Sequence, residues 1–267
     1  MRNLSNIGRI FYGIAIAGLG FQTIYYYDFP YMVIPPKHSW IPGLATVAYI
    51  FGTFLFLAGA CVVFRIRGRA AAFLLGTMFL LIFCFYHVPY QFISTSDYLD
   101  FGKWENAEKE LALSSGAFVM AGPFLKNNET AFRRLLRKLI SFGTILFSIT
   151  IIIFGIDHFL YANDVADYIP LWVPAKMFWT YFAGTALIAS GIGVLFKIKP
   201  RLFAALLGTM ILIWVIILHI PKVIASPSAD MGSEATSALL ALAYGGIAYV
   251  IAGNYRFTSG KILPFSK

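Results

Sequence analysis

Charge is what this chain is shortest of. Only 12% of its 267 residues are Asp, Glu, Lys or Arg, about half of the ~25% usual in soluble domains. With 59% hydrophobic residues and a mean hydropathy of +0.75, that shortage excludes an ordinary water-soluble globule and points to repeated crossing of a bilayer. Cysteine is scarce too. Cys61 and Cys84 are the only two, and they fall near opposite ends of successive apolar runs, whereas a disulfide needs Cα atoms within ~7 Å. There is no paired-thiol motif, so dithiol chemistry within the chain is disfavoured. The four histidines and few acids form no metal-ligand spacing. No small-residue cleavage site follows the first apolar run, so the N-terminus reads as a first span and not as a removable leader. The net charge of +9 is what cytoplasmic loops of an integral protein collect, and nucleic acid is not implied.

What is present is one stretch that occurs twice. Residues 65–89 read RIRGRAAAFLLGTMFLLIFCFYHVP, and residues 197–221 read KIKPRLFAALLGTMILIWVIILHIP. The offset is 132 residues without a gap, and eleven of the 25 pairs are identical, including LLGTM and a closing His-x-Pro. Shared composition does not place Gly-Thr-Met in register with a histidine eleven residues later, so the pattern indicates tandem duplication. Each copy starts with a basic cluster (Arg65, Arg67, Arg69; Lys197, Lys199, Arg201) and ends at His87 or His219. Eighteen residues of helix from Arg69 to His87 cover ~27 Å, close to the ~30 Å of a bilayer core. Cluster and histidine therefore mark opposite membrane faces.

Eight apolar segments are expected, at about 8–27, 43–64, 70–92, 107–125, 139–161, 176–196, 202–224 and 235–253. They imply two parallel pseudo-symmetric four-helix bundles, residues 1–125 and 139–267, joined by the basic linker 126–138. The linker is either a helix lying along the inner surface or a solvated loop. Alternate connections hold sixteen of the 21 Lys and Arg with one acid, Glu129, and the other side holds most of the acids. This partition places both termini in the cytoplasm. Paired glycines, Gly52/Gly59 and Gly184/Gly191, mark close-packing faces.

Candidate chemistry lies at the outer ends. The fifth segment ends with Gly155, Asp157, His158 and Tyr161, and the first ends with Gly20, Gln22, Thr23 and Tyr26. Trp40-Ile41-Pro42 and Trp172-Val173-Pro174 come next, at the same 132-residue offset. Within the C-terminal unit, His158 and His219 are expected to face each other, with Asp157 and Tyr161 beside them and Trp172 as a lid. His87, Tyr26 and Trp40 form the corresponding secondary group. The plainer alternative is that each histidine caps a helix end and is wet. Haem between His87 and His219 requires both rings buried toward one porphyrin and is not expected.

These residues together resemble the DoxX-like family of small four-helix membrane proteins, best in Gly155-Ile-Asp157-His158-Phe159, Tyr168-Ile-Pro170-Leu-Trp172-Val-Pro174, Gly184 and Gly191. The likeness covers about 143–253 and, more weakly, 8–122. Many relatives carry an acid shortly after the second-helix glycine, where this chain has Leu55 and Leu187. The resemblance implies a bacterial cytoplasmic-membrane protein. It further implies a membrane subunit of a quinone-linked oxidoreductase, with a quinone or small ligand at the outer ends and a partner oxidoreductase subunit. A small-solute transporter and a non-catalytic scaffold are the alternatives. The transporter reading is weakened by the expectation that no span carries a mid-depth charge.

Overall fold

The computed structural model describes residues 2–30, 33–34, 41–94, 100–122, 131–258 and 261–264. The chain is an α-helical, multi-pass membrane protein. Seven described helices are long and apolar enough to cross a membrane. They are α1 (Arg2–Tyr26), α2 (Leu44–Phe64), α3 (Gly68–Ile82) with its continuation α4 (Val88–Ser94), α6 (Ala131–Leu160), α8 (Lys176–Leu195), α9 (Pro200–Trp214) with α10 (Ile220–Ala225), and α11 (Ser233–Asn254). Of the eight expected segments, 107–125 is the exception. It folds as α5 (Glu105–Met120), 16 residues that include three glutamates and a lysine. At ~1.5 Å per residue it is about 24 Å long. Most of its second half is buried in protein, Ala112 through Met120 without interruption, so it does not need the apolar surface that lipid demands. Residues 131–138, eight of the thirteen in the expected linker, form the first turns of α6. A short helix α7 (Ala162–Tyr168) comes after α6, and an antiparallel pair β1 (Tyr255–Thr258) and β2 (Lys261–Pro264) comes after α11.

The two copies of the repeated stretch fold alike. Both basic turns need left-handed backbone at non-glycine residues, Arg65 and Arg67 (φ 62° and 49°) and Lys197 and Lys199 (φ 59° and 44°). At the far end, α3 passes into α4 and α9 into α10 through single π-helical turns, Phe83–His87 and Val215–His219. The prolines explain them. Pro89 and Pro221 have no N–H, and each ring crowds the carbonyl four residues back. The chain widens by one residue, and Val88 N–H and Ile220 N–H reach back five positions, to Phe83 and Val215.

Glycines set the helix pairing. A Cβ on Gly20 would lie 2.5 Å from Gly52 O, and one on Gly155 would lie 2.8 Å from Gly184 O. These are the α1–α2 and α6–α8 crossings, matched position for position. A second matched set crosses between the halves. A Cβ on Gly8 would meet Gly246 O at 2.3 Å, together with Tyr249 Cβ and Val250 N; one on Gly143 would meet Ser115 O at 2.5 Å, together with Phe118 Cβ and Val119 N. The first helix of each half thus packs on the last helix of the other, α1 on α11 and α6 on α5. Within a half, α3 packs on α5 and α9 on α11. One continuous core results, with Tyr12, Ile16 and Leu19 of α1, Leu113 and Met120 of α5, Phe147 and Ile151 of α6 and Ile247 of α11 in a single cluster. At the basic end, Arg9 Nη1 donates to the carbonyls of Val62 and Val63, two of the orphan groups at the C-terminus of α2.

Candidate functional site

The end of the molecule opposite the basic turns gathers polar groups from five helices, and α5 supplies its centre. Its start is fixed by Asp100, which accepts from Gly102 N at 3.0 Å in a 3₁₀ turn, Phe101–Trp104. Tyr161, at the end of α6, donates to Asp100 Oδ1 at 2.7 Å and accepts from Gly102 N at 2.7 Å. The donated hydrogen bond holds the Asp100 carboxyl below the usual carboxylate range, with the Gly102 amide and Lys103 helping. The same bond pushes the Tyr161 phenol up. Tyr161, expected to line a ligand site, instead ties the C-terminal half to the turn that starts α5.

Along α5 the polar side chains separate by face. Glu105 pairs with Lys109 one turn on. Glu108 is buried and faces Asp157 of α6, close enough for the two carboxyls to share a hydrogen bond. Two further residues along turn the chain by about 200°, so Glu110 is on a different side. It is fully buried, and neither of its carboxyl oxygens has a partner. Tyr12, about midway along α1, donates to Leu113 O at 3.0 Å, and Tyr244, midway along α11, donates to Lys109 O at 3.2 Å. The two phenols thus grip the turn of α5 that carries Glu110. Glu108 and Glu110 are thus buried ionisable residues of a helix that is not among the seven long and apolar enough to cross a membrane.

A second group lies around His219. Lys222 Nζ is 3.5 Å from Glu234 Oε1 and sits 3.2 Å from the centre of the Tyr168 ring, while Tyr168 Oη donates to Glu234 Oε2. The His219 ring lies 6.4 Å from that of Tyr168, and its Nδ1 is buried without a partner. Lys222 thus combines an ion pair with a cation–π contact. His219 is the member of the group left with unused hydrogen-bonding capacity.

The remaining expected site residues are placed elsewhere. No hydrogen bond or ring contact joins His158 to His219. His158 Nδ1 donates to Phe154 O at 2.6 Å, and its Cβ lies against Gly184 of α8. That is a side chain bonding the carbonyl one turn back in its own helix. Trp172 is 65% exposed. His87 is fully buried and donates from Nε2 to Val33 O at 3.0 Å. Tyr26 packs at Gly232, where Gln22 donates to the carbonyls of Met231 and Gly232. Trp40 lies outside the described residues. Asp157 is at the site, with Glu108 as its partner. The groups that sequence reasoning missed are Glu108, Lys109, Glu110 and Lys222. The signal for the first three was the acid-rich start of 107–125, an oddity in a segment otherwise read as apolar.

Among the described residues no three or more His, Cys, Asp or Glu side chains converge as metal ligands would. A crevice between α6, α8 and α9, lined by Phe147, Ser148, Ser190 and Leu207, is too narrow for water. Comparison of the chain with protein-family models, curated proteins and solved structures finds no match.

Proposed function

We propose that the chain is the membrane subunit of a quinone-linked oxidoreductase, binding a quinone headgroup at the acidic end of its C-terminal half. The observation that carries this reading is His219, with an unpartnered buried Nδ1 beside the Lys222–Glu234–Tyr168 group. A quinone carbonyl or quinol hydroxyl is a small group that an imidazole nitrogen and an ammonium recognise together. Oxidation of a quinol releases two electrons and two protons. His219 and the Glu108–Asp157 pair supply proton acceptors, and the electrons pass to a redox-active partner subunit. The DoxX-like resemblance supports the same class. We further infer that α5 is an eighth crossing, that the halves are related by a pseudo-twofold axis near the membrane normal, and that the basic end is cytoplasmic. The matched glycine contacts and the partition of Lys and Arg support these.

The test is extraction of the native lipid-solubilised protein for bound quinone, with His219→Ala and Lys222→Met beside the wild type. Retention by the wild type and by His87→Ala, with loss in the other two, is the expected result. If the wild type neither retains nor rebinds quinone, the reading fails. A small-solute transporter is the second reading, favoured by the buried Glu110, because ionisable groups in spans mark ion pathways. Uptake by proteoliposomes distinguishes it.

A further inference from the structure

We propose that Glu110 is a proton-binding site in the protein interior, a carboxyl holding one exchangeable proton on the turn of α5 that Tyr12 and Tyr244 grip. The proposal is independent of the quinone reading. Glu110 is wholly buried with both oxygens unpartnered. A carboxylate so placed loses the solvation of its charge and gains nothing in exchange, and groups in that situation carry a proton instead. Among the described residues no neighbouring cation changes this. From α1 comes Tyr12 and from α11 comes Tyr244, both within the field of Glu110. The acid offered by α6 is Asp157, which is turned to Glu108. The π-turn after α3 offers His87, bonded to Val33 O. Lys109, the neighbour on α5 itself, is paired with Glu105.

Each tyrosine hydroxyl donates to an α5 carbonyl, Leu113 O or Lys109 O, so neither phenol hydrogen is spent on Glu110, whose two oxygens have no partner.

The matched half shows that the fold does not need this group. In the register that sets Ser115 against Gly246 and Gly8 against Gly143, Ala241 takes the place of Glu110, Phe147 that of Tyr12, and Leu113 that of Tyr244. The same packing is achieved there with apolar side chains, all buried. The carboxyl and its two phenols are an addition on one side. Five residues of helix, ~7.5 Å, separate Glu110 from the exposed Glu105, so water at the acidic end is the near source of the proton.

The test uses the full chain in lipid. Dicyclohexylcarbodiimide enters apolar regions and adds to protonated carboxyls as an N-acylurea; a water-soluble carbodiimide is the control. Peptide mass spectrometry is expected to find the apolar reagent on Glu110 at neutral pH and the soluble one absent from it. Labelling is expected to fall about tenfold per pH unit above the titration point. Glu110→Gln removes the label and the infrared band of a buried protonated carboxyl, without lowering the melting temperature. Absence of both label and band in the wild type overturns the proposal. So does labelling that Na⁺ suppresses at constant pH, which identifies a cation site instead. If Glu110→Gln does not fold, the infrared band and pH profile of the wild type decide.

Discussion

The exchange of helices between the halves has a sharp consequence at Gly8. A Cβ there would lie 2.3 Å from Gly246 O and 2.9 Å from Tyr249 Cβ. A carbon and a carbonyl oxygen rest comfortably at about 3.3–3.6 Å, so Gly8→Ala forces α1 and α11 apart by about 1 Å. The atom that must yield is backbone, and no rotamer change relieves it. Overpacking of this kind costs ~1–3 kcal/mol, and a backbone clash belongs at the upper end. Gly143→Ala, whose Cβ would meet Ser115 O at 2.5 Å, is expected to cost about the same. Gly43 is the control: its φ is +64° and nothing lies within 4 Å, so alanine there bears backbone strain of ~1 kcal/mol and no clash. Unfolding of the purified variants in detergent, followed by far-UV circular dichroism, measures all three. If Gly8→Ala melts with the wild type, α1 does not pack on α11 and the exchange is wrong.

Tyr161→Phe removes the donor that depresses Asp100. A carboxyl with a lowered folded-state pKa contributes stability above its unfolded value and loses it as pH falls through the folded value. The wild type therefore loses stability over the acid range below the ordinary Asp value, and the variant is expected to show a flatter pH profile there by thermal melting. Pro221→Ala removes the reason for the wide turn at Val215–His219. A return to α-helical register rotates α10 by about 100° relative to α9, so Lys222 is expected to leave Glu234, detectable as loss of a crosslink between cysteines at those two sites. Cysteines placed in 126–138 are expected to resist impermeant maleimide in intact cells, and those in 226–233 to react; the reverse pattern refutes the orientation.

Much of the fold was legible because it depends on local rules. Segment limits tracked hydropathy, and the end of α2 at Phe64, the start of α9 at Pro200 and the span of α8 fall within two residues of expectation. Gly52 and Gly184 were recognisable as contact points because a Cβ on either would lie 2.7–3.0 Å from the carbonyl oxygen of the facing glycine, Gly20 or Gly155. The partner of each helix was not legible. Hydropathy records how much of a helix avoids water, and Gly8 carries no mark of whether it meets α5 or α11. The site was read partly wrongly for a related reason. His158 and Tyr161 have the right residue types for a ligand site, but each is engaged nearby, one by Phe154 O and the other by Asp100 and Gly102. A donor's partner is a tertiary fact.

The missed acids are explained by where α5 sits. A helix facing lipid must be apolar all round, whereas one surrounded by protein can present polar side chains to its neighbours. The first half's last helix is enclosed by α3 of its own half and by α6 and α11 of the other. It therefore tolerates Glu108 against Asp157 and Glu110 on the turn that Tyr12 and Tyr244 grip. Its counterpart α11 is as central, yet carries Leu239 and Ala241 at the matching positions. Of these two matching interior places, the one on α11 is apolar. The other is polar through residues drawn from both halves, Tyr12 and Glu110 from one and Asp157 and Tyr244 from the other. A site assembled in this way is not contained in either repeat, because its partners come together only through the exchange of first and last helices. That is why a search for chemistry within a single four-helix unit settles on the histidines and passes over Glu110.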